Sequence, residues 1–237
     1  MYPTTLTPHV VSTEARPFVS SVWRMVEAQH FASTMKLVDN NYEQDVLEQL
    51  LEGSKPKLPK VFDGLHYLLA TPFRYPTRKG GSRFRAANDP GVFYGAHSIR
   101  TACAELGYWR HKFLTDAVDL ISIDPVFHTV FETDINAAVV DLRLDPFAVH
   151  ASLWTDPLNY SPTQEFARVA REAKVQGIVY QSVRDQPDGA CLALLEPAGF
   201  ASKSPKPDTQ TWSLMVSPGR VVWRRDGIEG FSFSYRS

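Results

Sequence analysis

Residues 80–105 read "GGSRFRAANDPGVFYGAHSIRTACAE", and how this stretch folds decides how the rest of the chain is arranged. Asp89-Pro90-Gly91 has the residues of a type II turn, with proline fixing a negative φ and glycine accepting a positive one. Ser82–Ala86 and Val92–Ala96 then read as the two strands of a hairpin. Alternation along those strands places Arg83 and Arg85 on one face of the first, and Val92 and Tyr94 on one face of the second. Ser98 has the side chain of a helix N-cap. A helix starting there has Ile99, Ala102, Cys103, Leu106 and Phe113 as its buried stripe, with Glu105 off that stripe. The local scaffold is strand, short turn, strand, helix.

Basic residues crowd into this region. Arg74, Arg78, Lys79, Arg83 and Arg85 fall within twelve positions with no acidic residue among them, in a chain whose formal net charge is −1. Local positive charge on a near-neutral protein points to a small anion rather than to nucleic acid.

Outward from there, strands and helices alternate without a βαβ repeat, which indicates an α+β protein. Residues 1–20, rich in Thr, Pro and Ser, read as an irregular arm. "NNYEQDVLEQLLEG" carries Val46, Leu47, Leu50 and Leu51 on one helical face, closed by Gly53 and Pro56. "SKPKLPK" connects it to the apolar "HYLLATPF". Ser161-Pro162-Thr163-Gln164 has the order of an N-cap, an early proline and a capping-box glutamine, with Gly177 closing that helix. "GIVYQS" follows as a buried strand ending at Ser182. Beyond the polar "GFASKSPKPDTQT", three short strands are expected in "WSLMVS", "RVVWRR" and "FSFSYR", the last alternating Phe231, Phe233 and Tyr235. The division that follows is an N-terminal arm and helical extension over 1–70, and a core with C-terminal strands over 71–237.

Composition narrows the class further. At 237 residues, with 43% hydrophobic and 22% charged residues, the chain has the profile of a soluble globular protein. No apolar run has the length of a membrane span, and the N-terminus lacks the basic and apolar regions of a secretory signal. Cys103 and Cys191 have no CxxC or framework spacing, so two core thiols and a reducing, cytoplasmic location are expected. The seven histidines form no HExxH or HxH pattern, so no metal site is expected. P-loop, dinucleotide-binding and nucleophile-elbow signatures are also missing.

Taken one at a time, the candidate functional residues all have ordinary structural readings. Arg83 and Arg85 suit a solvated strand edge, Tyr94 a cross-strand packing role, Glu105 a helix surface and Ser182 a strand-end hydroxyl bonding backbone. Arg24 and Arg74 suit the surface as well.

Their order is more specific. "G-S-R-F … G-V-F-Y-G-A … T-A-C-A-E … G-I-V-Y-Q-S" resembles the RES domain family, which is named for an arginine, a glutamate and a serine in this sequence. Arg83, Glu105 and Ser182 stand at the matching positions, and Tyr94 matches a tyrosine that usually ends the second strand. "VWRMVE", "TPFRYP" and "GSRFR" resemble the longer members. In one departure, many RES proteins carry an asparagine shortly after the serine strand, where this chain reads "GACLALLEP".

The resemblance implies a compact fold like that of the diphtheria-type ADP-ribosyltransferases, here with an N-terminal helical extension. It implies a toxin of a bacterial toxin–antitoxin pair that consumes NAD as substrate, with no permanently bound cofactor. It also implies a helix-turn-helix (Xre-type) antitoxin that covers the active site and can build a higher-order hetero-oligomer. In that reading Arg83 grips the diphosphate, Tyr94 stacks on nicotinamide, Glu105 stabilises an oxocarbenium-like transition state, and Ser182 orients Glu105 or a ribose hydroxyl. Arg24, Arg74 and Tyr75 are further candidates for binding NAD. Two alternatives share the same residues: ADP-ribosyl transfer to a protein, and a non-catalytic protein that binds a nucleotide or an acidic partner.

Overall fold

The structure is a computed structural model and describes residues 3, 6–28, 43, 46, 60–74, 81–117, 119–187, 189–225 and 228–235. Its strands form one mixed sheet in the order β1-β2-β5-β4-β3-β6-β7-β8, with a further pairing of β1 to β3. The strands are β1 (Arg16–Glu27), β2 (Phe93–Ala96), β3 (Ile123–Asp141), β4 (Gly177–Gln181), β5 (Ala190–Leu194), β6 (Gln210–Ser217), β7 (Arg220–Arg225) and β8 (Ile228–Phe233). The helices are α1 (Pro8–Thr13), α2 (Tyr67–Arg74), α3 (Ile99–Asp116), α4 (Ala151–Trp154) and α5 (Ser161–Glu172). The α+β expectation holds.

The long strand β3 organises the sheet. One edge carries β1 in antiparallel register from Arg16 opposite Val139 to Glu27 opposite His128. The other edge takes β6 along its first half and β4, in parallel, at Val139–Asp141. Because β2 joins β5 and also meets β1 at Trp23 and Ala96, the strands β1-β2-β5-β4-β3 return on themselves. The remaining strands, β6–β8, extend as an antiparallel meander. One apolar cluster, with Val22, Phe93, Phe131, Ile135 and Leu192, lies on one face of the strands, and Leu69 of α2 covers it. The other face packs against α3 and α5 through Cys103, Phe166, Tyr180, Leu214 and Trp223. Each such fully buried large side chain contributes roughly 1.5–3 kcal/mol by leaving water. Trp223 also donates its indole N–H to the carbonyl of Cys103 at 3.0 Å, tying the meander to α3.

Several expectations are corrected. The arm expected over residues 1–20 contains α1, with Thr7 as N-cap and Pro8 in its first turn, and then β1. Proline and threonine there start a helix rather than prevent one. The segment assigned to an extension, 1–70, therefore contributes β1 to the common sheet. The helix read over 40–53 falls largely outside the described residues.

The hairpin is replaced by a tighter turn. Ser82 and Arg85 exchange backbone hydrogen bonds, Ser82 N–H to Arg85 O at 2.6 Å and Arg85 N–H to Ser82 O at 3.1 Å. Strand β2 pairs with β5 and β1 instead. Phe84 at the tip of the turn is fully buried, edge-on to Tyr180 with centroids 4.8 Å apart. Burying that ring between two arginines requires a turn pointing inward, which an exposed edge strand does not supply. Gly81 enters the turn with φ +68°, and a Cβ there would lie 2.1 Å from the Arg85 carbonyl oxygen. At Asp89-Pro90-Gly91, the left-handed residue is Asn88 (φ 70°), not Gly91. Gly91 serves close approach, since a Cβ would come within 2.3 Å of Phe73 Cα.

Helix α3 starts at Ser98 as read, with the Thr101 N–H on the serine oxygen at 3.0 Å. Its buried side differs from the expected stripe. Phe113 is 58% exposed, while Thr101, Ala104, Gly107, His111 and Leu114 are buried. Contact with strands on more than one side widens the face that has to be small and apolar. In α5, Tyr160 holds the N-cap position and makes no side-chain cap bond. Gln164 donates to the carbonyls of Ser82 and Arg85, across to the tight turn. After its end at Glu172, Lys174 takes the left-handed conformation, and Gly177 opens β4. The buried strand before Ser182, the two free buried thiols and the first two C-terminal strands are found as expected, while the third lies at Ile228–Phe233, earlier than the "FSFSYR" reading and without Tyr235.

Candidate active site

The tight turn, β1, β2, α3 and the residues before α5 enclose a cleft of about 420 Å³. That volume suits a ligand of small-molecule size. Trp23, Tyr94, Trp109, Tyr160 and Tyr180 give it aromatic walls, and Arg24, Arg83 and Glu105 carry its charges.

Glu105 sits in the second turn of α3, and the end of β4 brings Ser182 to it. The Ser182 hydroxyl donates to Glu105 Oε1 at 2.6 Å. In turn it accepts the N–H groups of Arg184 (3.2 Å) and Asp185 (3.1 Å). Ser182 is fully buried and its proton is used on Glu105, the contact that orientation of the carboxylate requires. Burial pushes the Glu105 carboxyl above its ordinary pKa. The Ser182 hydrogen bond and the charges of Arg83 and Arg184 oppose that rise.

Arg83 lies across from this carboxylate, at the tip of the tight turn. Its Nη1 donates to the carbonyls of Trp154 and Asp156, each at 2.9 Å, and the guanidinium carbon sits 4.6 Å from the centre of the Tyr160 ring. Among the described residues, Nε and Nη2 have no protein hydrogen bond. One edge of the guanidinium is therefore anchored and the other remains for a ligand. Arg83 and Arg85 are each 8% exposed, so the solvated-edge reading fails for both. Arg85 Nε bonds the Asp89 carbonyl at 3.1 Å.

Tyr94 on β2 uses its hydroxyl to hold the turn, accepting the Phe84 N–H at 3.0 Å and lying 2.8 Å from Ser82 Oγ. Burial raises its pKa, which keeps the phenol neutral. Arg24 on β1 donates Nη1 to the Tyr94 carbonyl at 2.6 Å and sits over the Phe93 ring at 4.8 Å. Its Nε is buried without a partner among the described residues. Burial lowers its pKa to about 10, so it remains a cation at neutral pH. A partly buried cation of this kind, with no carboxylate paired to it among the described residues, makes the cleft receptive to an anion.

Of the candidate residues, the structure thus brings together Arg24, Arg83, Tyr94, Glu105 and Ser182. Arg74 ends α2 and is not among the residues lining the cleft. Tyr75 lies outside the described residues. In the segment that departs from the family's asparagine, Cys191 lines the cleft, and burial holds its thiol well above the ordinary range. Sequence reading missed Tyr160, Trp23 and Trp109 as walls, because no spacing distinguishes a cleft aromatic from a core one. It also missed the Trp154 and Asp156 carbonyls, since backbone acceptors leave no signature in side-chain identity. Among the described residues, no group of three His, Cys, Asp or Glu side chains is placed to hold a metal ion. No helix among them is long and apolar enough to cross a membrane.

The α+β scaffold thus sets a hydroxyl-held carboxylate and an anchored arginine in one aromatic cleft. The RES domain model matches residues 57–217 of the chain, and the chain belongs to that family. One solved structure that matches is a chain in the crystal structure of the M. tuberculosis MbcT–MbcA toxin–antitoxin complex. It is 13% identical, with a TM-score of 0.49 over 91% of this chain and 94% of that one. None of the curated proteins matches.

Proposed function

We propose that the protein is a toxin of a type II toxin–antitoxin module that degrades NAD by cleaving the bond between nicotinamide and ribose. Membership of the RES family supports the class. The observation that carries the reading is the 2.6 Å hydrogen bond from Ser182 to Glu105 in a cleft that also presents the free edge of Arg83.

Breaking the C1′–N bond sends its electron pair to the pyridinium nitrogen, releases neutral nicotinamide and leaves positive charge on the ribose. The transition state resembles the oxocarbenium ion of glycoside hydrolysis. Glu105, fixed through Oε1, has Oε2 to set beside the ribose. A carboxylate there attracts the developing cation more strongly than the ground state, which is the condition for accelerating the step. Arg83 supplies paired donors to a diphosphate oxygen. Tyr94 offers its ring to the cationic nicotinamide, and Arg24 adds positive charge for the phosphates. The partner in this reading is a helix-turn-helix antitoxin covering the cleft, and the compartment is the cytoplasm.

The test is an NMR time course of the purified chain with NAD, with and without inorganic phosphate, following free nicotinamide. Release that accelerates with phosphate and yields a phosphorylated ADP-ribose identifies a phosphorylase. Release indifferent to phosphate identifies a glycohydrolase. Folded protein that releases none overturns NAD degradation, and labelling of a protein in host lysate would then select ADP-ribosyl transfer.

A further inference from the structure

The RES signature ends at Ser182, yet Arg184, two residues later, makes contacts through its backbone and its side chain that reach both ends of the cleft. The backbone N–H of Arg184 donates to Ser182 Oγ at 3.2 Å, supporting the hydroxyl that holds Glu105. Its guanidinium carbon lies over the Tyr108 ring, 3.3 Å from the ring centre, three residues along α3 from Glu105. Its Nη2 donates to the Pro157 carbonyl at 2.9 Å. Pro157 belongs to the 154–160 loop, whose Trp154 and Asp156 carbonyls anchor Arg83 and whose Tyr160 ring lies under the Arg83 guanidinium. Asp156 also braces this loop, accepting the N–H groups of Leu158 and Asn159.

We propose that Arg184 is a positioning residue that couples the two ends of the cleft, fixing Glu105 through Ser182 and α3, and fixing Arg83 through the 154–160 loop. The contacts to Tyr108 and Pro157 run through one planar cation, and the contact to Ser182 through the backbone N–H of the same residue. A guanidinium can stack on a ring and donate in its own plane at the same time, which an ammonium cannot do. The kinetic consequences rest on the NAD reading above; the coupling itself does not.

The groups facing Glu105 define what removal of Arg184 should do. Arg83 and Arg184 favour the carboxylate, and Asp185 opposes it. Asp185 is itself matched by Arg100 at 2.9 Å and by the Thr101 hydroxyl at 2.8 Å. Tyr180, Cys191 and Tyr235 also face Glu105, and burial pushes the ionisation of all three up, so they remain neutral. Replacing Arg184 by a neutral side chain takes away one of the two favouring charges and leaves the opposing one.

The experiment compares wild type, Arg184→Gln and Arg184→Lys as full chains, with Arg184→Met as a second neutral variant if the glutamine protein does not fold. Carbon-13 NMR of carboxyl-labelled glutamate follows Glu105 against pH without any substrate. The neutral variant should raise the Glu105 midpoint by about one pH unit, the effect of losing one nearby opposite charge. Lysine should largely restore it. In NAD turnover, the acid limb of kcat/KM should move with that midpoint. KM should rise about threefold to tenfold in both Arg184→Gln and Arg184→Lys, because neither reproduces the ring contact and the Pro157 bond together. A Glu105 midpoint unchanged in the neutral variant overturns the carboxylate half of the proposal, and an unchanged KM in Arg184→Lys overturns the loop half. If wild type releases no nicotinamide, the NAD reading fails. The NMR titration and the affinity for ADP-ribose, compared between wild type and variants, then decide the coupling.

Discussion

The two ends of the cleft hold their charges by opposite means. Glu105 is fixed by a hydroxyl, itself supported by two backbone N–H groups. Arg83 is fixed by two backbone carbonyls and the face of Tyr160. At the first end the protein supplies donors, and at the second, acceptors. The carboxylate also titrates, so its function depends on a proton balance set by burial. The guanidinium acts through the direction of its donors, so its function depends on orientation. Damage to the carboxylate end should therefore appear in kcat and in the pH profile, and damage to the arginine end in KM.

The largest expected effect tests that division directly. Glu105→Gln keeps the size and a hydrogen-bonding group but removes the charge, and kcat should fall by at least roughly two orders of magnitude, by analogy with loss of an oxyanion-hole donor. KM and thermal melting should stay close to wild type. Full activity in steady-state assays of this variant would remove Glu105 from the mechanism.

Arg83→Ala should raise KM for NAD by about an order of magnitude, with a smaller change in kcat. It also leaves the Trp154 and Asp156 carbonyls without their donor. The buried Trp154 acceptor left unpaired costs about 1–3 kcal/mol, so a lower midpoint in denaturant unfolding is expected alongside. A variant with unchanged KM would contradict the assignment of Arg83 to the diphosphate.

Ser182→Ala has the smallest expected effect and sharpens the comparison most. Loss of its hydrogen bond leaves burial less opposed, so the Glu105 pKa rises further. The active form is the carboxylate, hence the acid limb of the kcat profile should move to higher pH. At a pH above both limbs, kcat should fall only about threefold to fivefold, within the worth of one hydrogen bond, about 0.5–1.5 kcal/mol. An acid limb that stays at the wild-type pH would show that Ser182 does not tune Glu105.

Two other regions show how far the sequence could be read. The C-terminal meander was legible, because "WSLMVS", "RVVWRR" and "FSFSYR" alternate with period two and are separated by turns, and neighbouring strands pair with each other. The 82–96 stretch has a similar outline, yet it forms an inward turn and a strand that pairs elsewhere. Alternation there placed Arg83 and Arg85 on a common exposed face. The burial of Phe84 and the distant partners of the turn decided otherwise. Gln164, whose amide reaches the turn from α5, is one of those partners, and its position after Ser-Pro-Thr made it look like a local cap.

The sequence by itself determined the family and the α+β class, and it singled out Arg83, Tyr94, Glu105 and Ser182 as candidates, since those readings depend on residue types in a fixed order. Helix starts such as Ser98 were readable too, because a cap acts within a few residues. Only the tertiary structure decided that Ser182 serves Glu105, that Arg83 is anchored by the 154–160 loop, and that β1 belongs to the cleft. These are contacts between residues some 70 to 80 positions apart, set by how the strands return on themselves. Many of them run through backbone carbonyls and N–H groups, which every residue carries and no sequence pattern distinguishes.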